Sequence, residues 1–106
     1  MSGVAIIGSG PAGLQAAIFT ASEGLSTTIY EGGDKIGGQI ADTPQFENII
    51  GQWRNGISGH NFIKNAIGQC SEFGVRFQME RVQHILQTVD GKWSVNAQYH
   101  DSVILA

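Results

Sequence analysis

The chain has a single cysteine, Cys70, among 106 residues, so it can form no internal disulfide and carries no C-x-x-C redox pair. Lys and Arg number six against nine Asp and Glu, and no basic residue precedes Lys35. With a net charge of −3 and no basic cluster, nucleic acid and anionic membrane are not expected partners. No apolar run approaches the roughly 18 residues of a membrane span. The only candidate for a signal-peptide core is interrupted by Gly8 to Gly13, so the chain reads as cytoplasmic. His60, His84 and His100 share no metal-ligand spacing with one another or with Cys70; surface or edge-strand histidines and no metal are expected. The length suits one modest core, a single domain or part of one.

Glycine, by contrast, is abundant: 15 residues, about double the average usage of roughly 7%. Much of the excess falls in Gly8 to Gly13, Gly32 to Gly38 and Gly51 to Gly59. The first cluster follows the apolar run Val4-Ala5-Ile6-Ile7 and reads Gly8-Ser9-Gly10-Pro11-Ala12-Gly13, a GxGxxG turn. Glu31 stands 23 positions after Gly8, at the end of a second strand-like run. Strand, glycine turn, helix, strand and acidic residue make a dinucleotide-binding fingerprint. Gly8 lets the chain turn sharply, Gly10 lets backbone approach a pyrophosphate, and Gly13 lets the helix lie close on the strand. The helix N-terminus offers unpaired N–H groups to the phosphates, and Glu31 would hold the ribose hydroxyls.

Along the chain, Val4 to Gly8 reads as a buried parallel strand. Pro11 to Glu23 reads as a helix with Leu14, Ala17, Ile18 and Ala21 on one face and Gly24 as its stop. Ser26 to Glu31 is the second strand. A long glycine-rich connection from Gly32 to Gly59 is of the kind that is functional or disordered. Ser58 is placed to cap a helix from about His60 to Phe73, with Phe62, Ile63, Ala66, Ile67, Cys70 and Phe73 as its apolar stripe. Val75 to Met79 is the expected third parallel strand. The pattern then changes: Arg81 to Val89, a turn at Asp90-Gly91, Lys92 to Ala97, and Ser102 to Leu105 read as an antiparallel meander, with Asp-Gly as the hairpin signal. The fold class expected is α/β, a Rossmann-like parallel sheet with a three-stranded antiparallel β-meander.

The turn alone suits FAD and NAD equally. Gly37-Gly38-Gln39, then Phe46-Glu47-Asn48 and Gly56-Ile57-Ser58-Gly59, resemble the segment after the second strand in thioredoxin-reductase-like flavoproteins of the pyridine nucleotide-disulfide oxidoreductase superfamily. With Gly8 to Leu14, Glu31, Phe73-Gly74 and Val103-Ile104-Leu105-Ala106, the resemblance runs through nearly the whole chain in order. It implies the N-terminal portion of a FAD-binding domain over residues 1–106. By the same resemblance, Gly8, Ser9, Gly10, Pro11, Ala12 and Gly13 bind the pyrophosphate and Glu31 the adenosine ribose. Gly38, Gln39 and Asn48 lie along the ribityl chain and flavin, and Val82 contacts adenine through its backbone. A flavin beside a sheet needs close backbone approach and amide donors at its ring edge, which a Gly-Gly-Gln loop and an Asn can supply. Gln52-Trp53-Arg54-Asn55 and Ala41-Asp42 depart from the family pattern.

The family's nicotinamide-binding domain, its C-x-x-C pair and the segment that returns to complete the FAD site are not in this sequence. Val103 to Ala106 is a buried-type strand without a polar terminator, so part of a longer flavoprotein is expected. The function implied is the FAD-binding portion of an oxidoreductase that passes electrons from NAD(P)H through FAD to a disulfide or other acceptor. It is not expected to be catalytic alone, no catalytic residue is assigned, and a homodimer is allowed as in the family. The alternatives are a non-catalytic nucleotide-binding or interaction module and an NAD-dependent dehydrogenase. Cys70 sits on an apolar stripe and reads as a buried structural thiol. Phe46 and Trp53 either cover the flavin, form a partner surface or anchor the loop. Asp42 and Glu47 read as solvated loop carboxylates rather than an acid–base pair.

Overall fold

The structure, a computed structural model, describes residues 3–51 and 55–106. Gln52, Trp53 and Arg54, part of the stretch that departs from the family pattern, lie outside the described residues. Strands β1 (Gly3–Ile7), β2 (Ser26–Tyr30) and β3 (Arg76–Gln78) pair in parallel with a strand near the C-terminus, β7 (Ser102–Leu105), in the order β3-β2-β1-β7. Helix α1 (Pro11–Ser22) connects β1 to β2, and helix α2 (Gly59–Glu72) leads into β3. Between β3 and β7, strands β4 (Ile85–Gln87), β5 (Trp93–Val95) and β6 (Gln98–His100) form a three-stranded antiparallel sheet. Among the described residues no helix is long and apolar enough to cross a membrane.

The alternation of β1 explains the layers. Val4 and Ile6 face the helices, where they pack with Leu14 and Ala17 of α1, Ile63, Ala66 and Cys70 of α2, and Ile29 of β2. Ala5 faces the other way and meets Tyr30 and Val95, with Ile7, Val82 and Val103 packed around them. A period-two side-chain alternation therefore puts helices on one face of the parallel sheet and the small antiparallel sheet on the other. The expected stripes of both helices meet the core except at Phe73, which follows the last residue of α2 and is exposed. Cys70 is fully buried, and burial pushes its thiol pKa up, as befits a structural cysteine.

Both helices close in the same way. Gly24 N–H donates to Ala21 O (3.0 Å) and Leu25 N–H to Thr20 O (3.1 Å), and the same pair of bonds recurs from Gly74 to Ser71 O (3.0 Å) and from Val75 to Cys70 O (3.0 Å). This is the Schellman arrangement, which satisfies the last carbonyls of each helix.

The C-terminal third corrects the sequence reading. Ser102 to Leu105 is no strand of the meander: it joins the parallel sheet beside β1, with Ile6 opposite Ile104. The third meander strand is Gln98–His100, which turns back from β5 at Asn96-Ala97, both with positive φ (46° and 69°). Two successive left-handed residues make a tight hairpin. Asn-Ala lacks the glycine that advertises such a turn, so Lys92 to Ala97 reads as one strand and Gln98 to Asp101 is left without an element. The strand read over Arg81 to Val89 narrows to Ile85–Gln87; ahead of it the Asn96 side chain bonds Glu80, Arg81, Gln83 and His84, alongside one backbone bond from Asn96 N–H to His84 O at 3.0 Å.

Candidate functional site

The C-terminal ends of β1, β2 and β3 lie side by side, and the segments leaving them build one cleft. Ile7, Gly8, Tyr30, Glu31, Gly32, Gly33, Arg81 and Val82 line an open hollow of about 460 Å³. In open parallel sheets ligands bind at this edge, where the strand order reverses about the first strand.

Each glycine of the first turn has its own reason. Gly8 takes φ +113°, and a Cβ there would sit 2.6 Å from Ala106 O, so both backbone conformation and close packing require glycine. A Cβ on Gly13 would lie 2.1 Å from Gly8 O; its absence lets α1 rest against the turn. Gly10 is different. Among the described residues a Cβ there would meet no atom within 4 Å, and its φ of −71° suits any residue. Nothing among the described residues asks for glycine at this position.

Gly10 is the N-cap of α1 and provides no side-chain hydrogen bond; Pro11 opens the helix, and the first turn has no acidic residue. Leu14 N–H donates to Gly10 O at 3.0 Å, while the preceding helical N–H groups have no partner within the helix. These donors carry about half a positive charge at the helix end, a few residues along the chain from Gly8, which lines the cleft; Pro11 and Ala12 line a separate hollow with Leu14 and Ile18.

Glu31 follows β2 and lies in direct contact with this turn through Ser9. Its Oε2 accepts the Gly33 N–H at 2.8 Å, and its Oε1 accepts the Ser9 hydroxyl proton. Burial pushes the Glu31 carboxyl pKa up, but the hydrogen bonds from the Ser9 hydroxyl and from the amides of Gly33, Ser9 and Gly32 outweigh it and hold the group below its ordinary value. Glu31 is thus a fixed carboxylate. Below it, the Tyr30 hydroxyl lies between Gln98 Oε1 (2.8 Å) and His100 Nε2 (2.7 Å). His100 is on an edge strand as expected but is buried rather than at the surface. Burial first, then the Arg76 charge, lowers its pKa against the opposing pull of Asp101, so the imidazole is held neutral.

Val82 reaches the cleft because Glu80 to His84 is pinned by one residue. Asn96 Nδ2 donates to Glu80 Oε1 (2.7 Å) and Arg81 O (2.7 Å), and its Oδ1 accepts from Gln83 N–H (2.9 Å) and His84 N–H (3.2 Å). Sequence reasoning missed Asn96; an Asn just before a chain reversal is the signal that could have found it. It also missed Arg81, which lies 3.3 Å from the place a Gly32 Cβ would take.

The second group of expected residues lies apart from this cleft. Gly37 at φ +111° opens a 3-10 turn over Gly38–Asp42, on which Gly38 and Gln39 are exposed. Asn48 is exposed on the loop beyond the Phe46–Ile57 bridge. Gly8, Glu31 and Val82 line the cleft together and Ser9 joins them through its bond to Glu31, whereas Gly10, Pro11, Ala12, Gly13, Gly38, Gln39 and Asn48 are not part of the lining. Phe46 meets Phe62 edge-on at 5.5 Å, so it anchors the loop. Asp42 pairs with Lys35 and, like Glu47, is exposed. Among the described residues no group of His, Cys, Asp or Glu could hold a metal.

Comparison with known proteins agrees with the fold. The model of the NAD(P)-binding Rossmann-like domain matches residues 6–73. The chain belongs to that family. This Rossmann-like chain is 40% identical over 108 aligned residues to thioredoxin reductase of Peptoclostridium acidaminophilum, covering 97% of itself and 33% of that protein. It is 38% identical over 89 to the thioredoxin reductase of Streptomyces clavuligerus, covering 84% and 27%. The crystal structure of Lactococcus lactis thioredoxin reductase superposes with a TM-score of 0.82 at 30% identity, covering 99% of this chain and 35% of that one. These relatives are thioredoxin reductases, and the chain spans about a third or less of their length.

Proposed function

We propose that residues 1–106 are the N-terminal portion of the FAD-binding domain of a cytoplasmic, thioredoxin-reductase-like flavoprotein oxidoreductase. A nicotinamide domain and a returning FAD segment, as in the longer relatives, would complete it. The observation that carries the reading is Gly10. In a turn whose other glycines are required by internal contacts, it alone faces open space, at an uncapped helix N-terminus beside a fixed carboxylate. A pyrophosphate fits there, with its charge against the helix N-terminus.

The residues suit the rest of FAD as well. Glu31 would accept the hydrogen bonds of the adenosine ribose hydroxyls, and the Val82 backbone would meet the adenine edge. Gly38, Gln39 and Asn48 would lie along the ribityl chain and flavin. Bound FAD would supply the hydride chemistry, taking electrons from NAD(P)H and passing them to a disulfide or other acceptor. This chain has no C-x-x-C pair, so its own part is to hold the cofactor; two such proteins would pair as a homodimer.

FAD binding is tested by flavin absorbance of the purified protein and by its unfolding midpoint with FAD and with NAD. FAD is expected to raise the midpoint, since a ligand at 100 times its Kd stabilises by about 2.7 kcal/mol, while NAD has little effect. A colourless protein that FAD does not stabilise, or one that NAD stabilises as well, would overturn the reading.

A further inference from the structure

We propose that Ser9 is a positioning residue, whose one hydroxyl sets the Glu31 carboxylate and the Gly37 amide together and so joins the adenosine end of the site to the loop carrying Gly38 and Gln39. The inference rests on the FAD reading and adds to it a residue that acts through two others.

The Ser9 side chain is 1% exposed. Its Oγ donates to Glu31 Oε1 and accepts the Gly37 N–H at 3.1 Å. A hydroxyl has one proton to give. With that proton on Glu31, Ser9 Oγ has none for a phosphate oxygen, so any contact of Ser9 with the pyrophosphate comes from its backbone. Both partners are otherwise confined. The second oxygen of Glu31 is held by Gly33 N–H at 2.8 Å, and a Cβ on Gly37 would sit 2.7 Å from Ile63 Cγ1, so the Gly37 Cα is packed closely against α2. The carboxylate is therefore aimed before any ribose arrives, and the atom that aims it also fixes the entry to the 3-10 turn. Preorganisation of this kind lowers the ordering cost of binding. Arg81, the other charged residue lining the cleft, forms no salt bridge with Glu31 among the described residues, so hydrogen bonds and not an ion pair set the carboxylate.

The test uses the full chain as wild type, Ser9→Ala, Glu31→Ala and the double variant, titrated with FAD, with ADP as the adenosine half and with FMN as the flavin half. Ser9→Ala is expected to weaken FAD on the order of tenfold, the effect of losing a hydrogen bond to a charged group. It should weaken both ADP and FMN. In the Glu31→Ala background its effect on ADP should largely vanish, because the group it aims is gone. Independently of ligand, Glu31 should titrate higher by NMR in Ser9→Ala than in wild type, and Ser9→Cys, a weaker donor in the same place, should fall between. Additive losses in the cycle, an unchanged Glu31 titration, or normal FAD binding by Ser9→Ala would each overturn the role given to Ser9. A wild-type chain that takes up neither FAD nor ADP would instead overturn the FAD reading on which it stands.

Discussion

Helix α2 begins under Ser58, whose hydroxyl accepts the Asn61 N–H at 3.1 Å, and with Gly59 pressed so closely to the 3-10 turn that a Cβ would lie 1.6 Å from Ile40 O. Helix α1 begins at Gly10, with no capping side chain and with open space where a Cβ would go. The two helices close with the same bonds and pack on the same face of the same sheet. Only their beginnings differ. One N-terminus is satisfied by its own protein; the other leaves its donors and its positive end available. The contrast separates a glycine that serves packing from one that serves a ligand, a distinction the glycine count alone does not make.

The largest effects should come where the two helices are alike, in close docking. Gly13→Ala would bring a Cβ 2.1 Å from Gly8 O, and Gly59→Ala one 1.6 Å from Ile40 O. Backbone cannot give way as a side-chain tip can, so each is expected to cost about 3 kcal/mol of stability or more, read from urea unfolding. A loss under about 1 kcal/mol for either would mean that its helix is not held by close approach.

Gly10→Ala should divide the helices. With no atom near the added methyl among the described residues and an ordinary φ, the unfolding free energy should stay within about 0.5 kcal/mol of wild type. FAD affinity should fall on the order of tenfold or more as the methyl occupies the place of the pyrophosphate. Gly10→Ser takes the comparison further, since it gives α1 the kind of cap that α2 has: a gain of a few tenths of a kcal/mol in stability, with the same loss of FAD. Equal FAD binding by wild type and Gly10→Ala would remove the phosphate from this turn.

The converse change is smaller. Ser58→Ala removes the cap of α2, and about 1 kcal/mol of stability should go with it, while FAD affinity corrected for unfolded protein stays as it was. A drop in affinity beyond that correction would join the α2 N-terminus to the cofactor site and spoil the contrast.

How much of this was legible in the sequence depends on the range of the contact. The β1–turn–α1–β2 unit, the Ser58 cap and the stops at Gly24 and Gly74 are local, written in residues a few positions apart, and were read to within a residue or so. The partner of Ser102 to Leu105 was not, because pairing with β1 joins positions about a hundred residues apart and an apolar run does not name its neighbour. The Asn96-Ala97 turn was missed for want of a glycine. Within the site, Gly8, Gly13 and Glu31 follow from the fingerprint, whereas the bonds of Ser9 to Glu31 and Gly37, the hold of Asn96 on Arg81 and the burial of His100 against Tyr30 arise only when separate segments meet.

The smallest effect is also the most selective, because the two N-termini differ in charge. Ser58 does not titrate, so the cost of Ser58→Ala should be flat from neutral to acid pH. Glu31, beside the α1 turn, has its folded pKa lowered. Between the folded and unfolded pKa values the unfolded chain binds more protons, so stability rises with pH there. Its contribution is full above the unfolded carboxyl pKa of about 4.3 and is lost as pH falls through the lower folded value. Glu31→Gln should therefore destabilise the ligand-free protein at neutral pH, and the gap from wild type should close as the medium is acidified below about pH 4.3. Urea midpoints for wild type, Glu31→Gln and Ser58→Ala across that range decide it. Parallel curves for all three would show that Glu31 is not held as a carboxylate beside α1, and the two helix beginnings would then differ in shape alone.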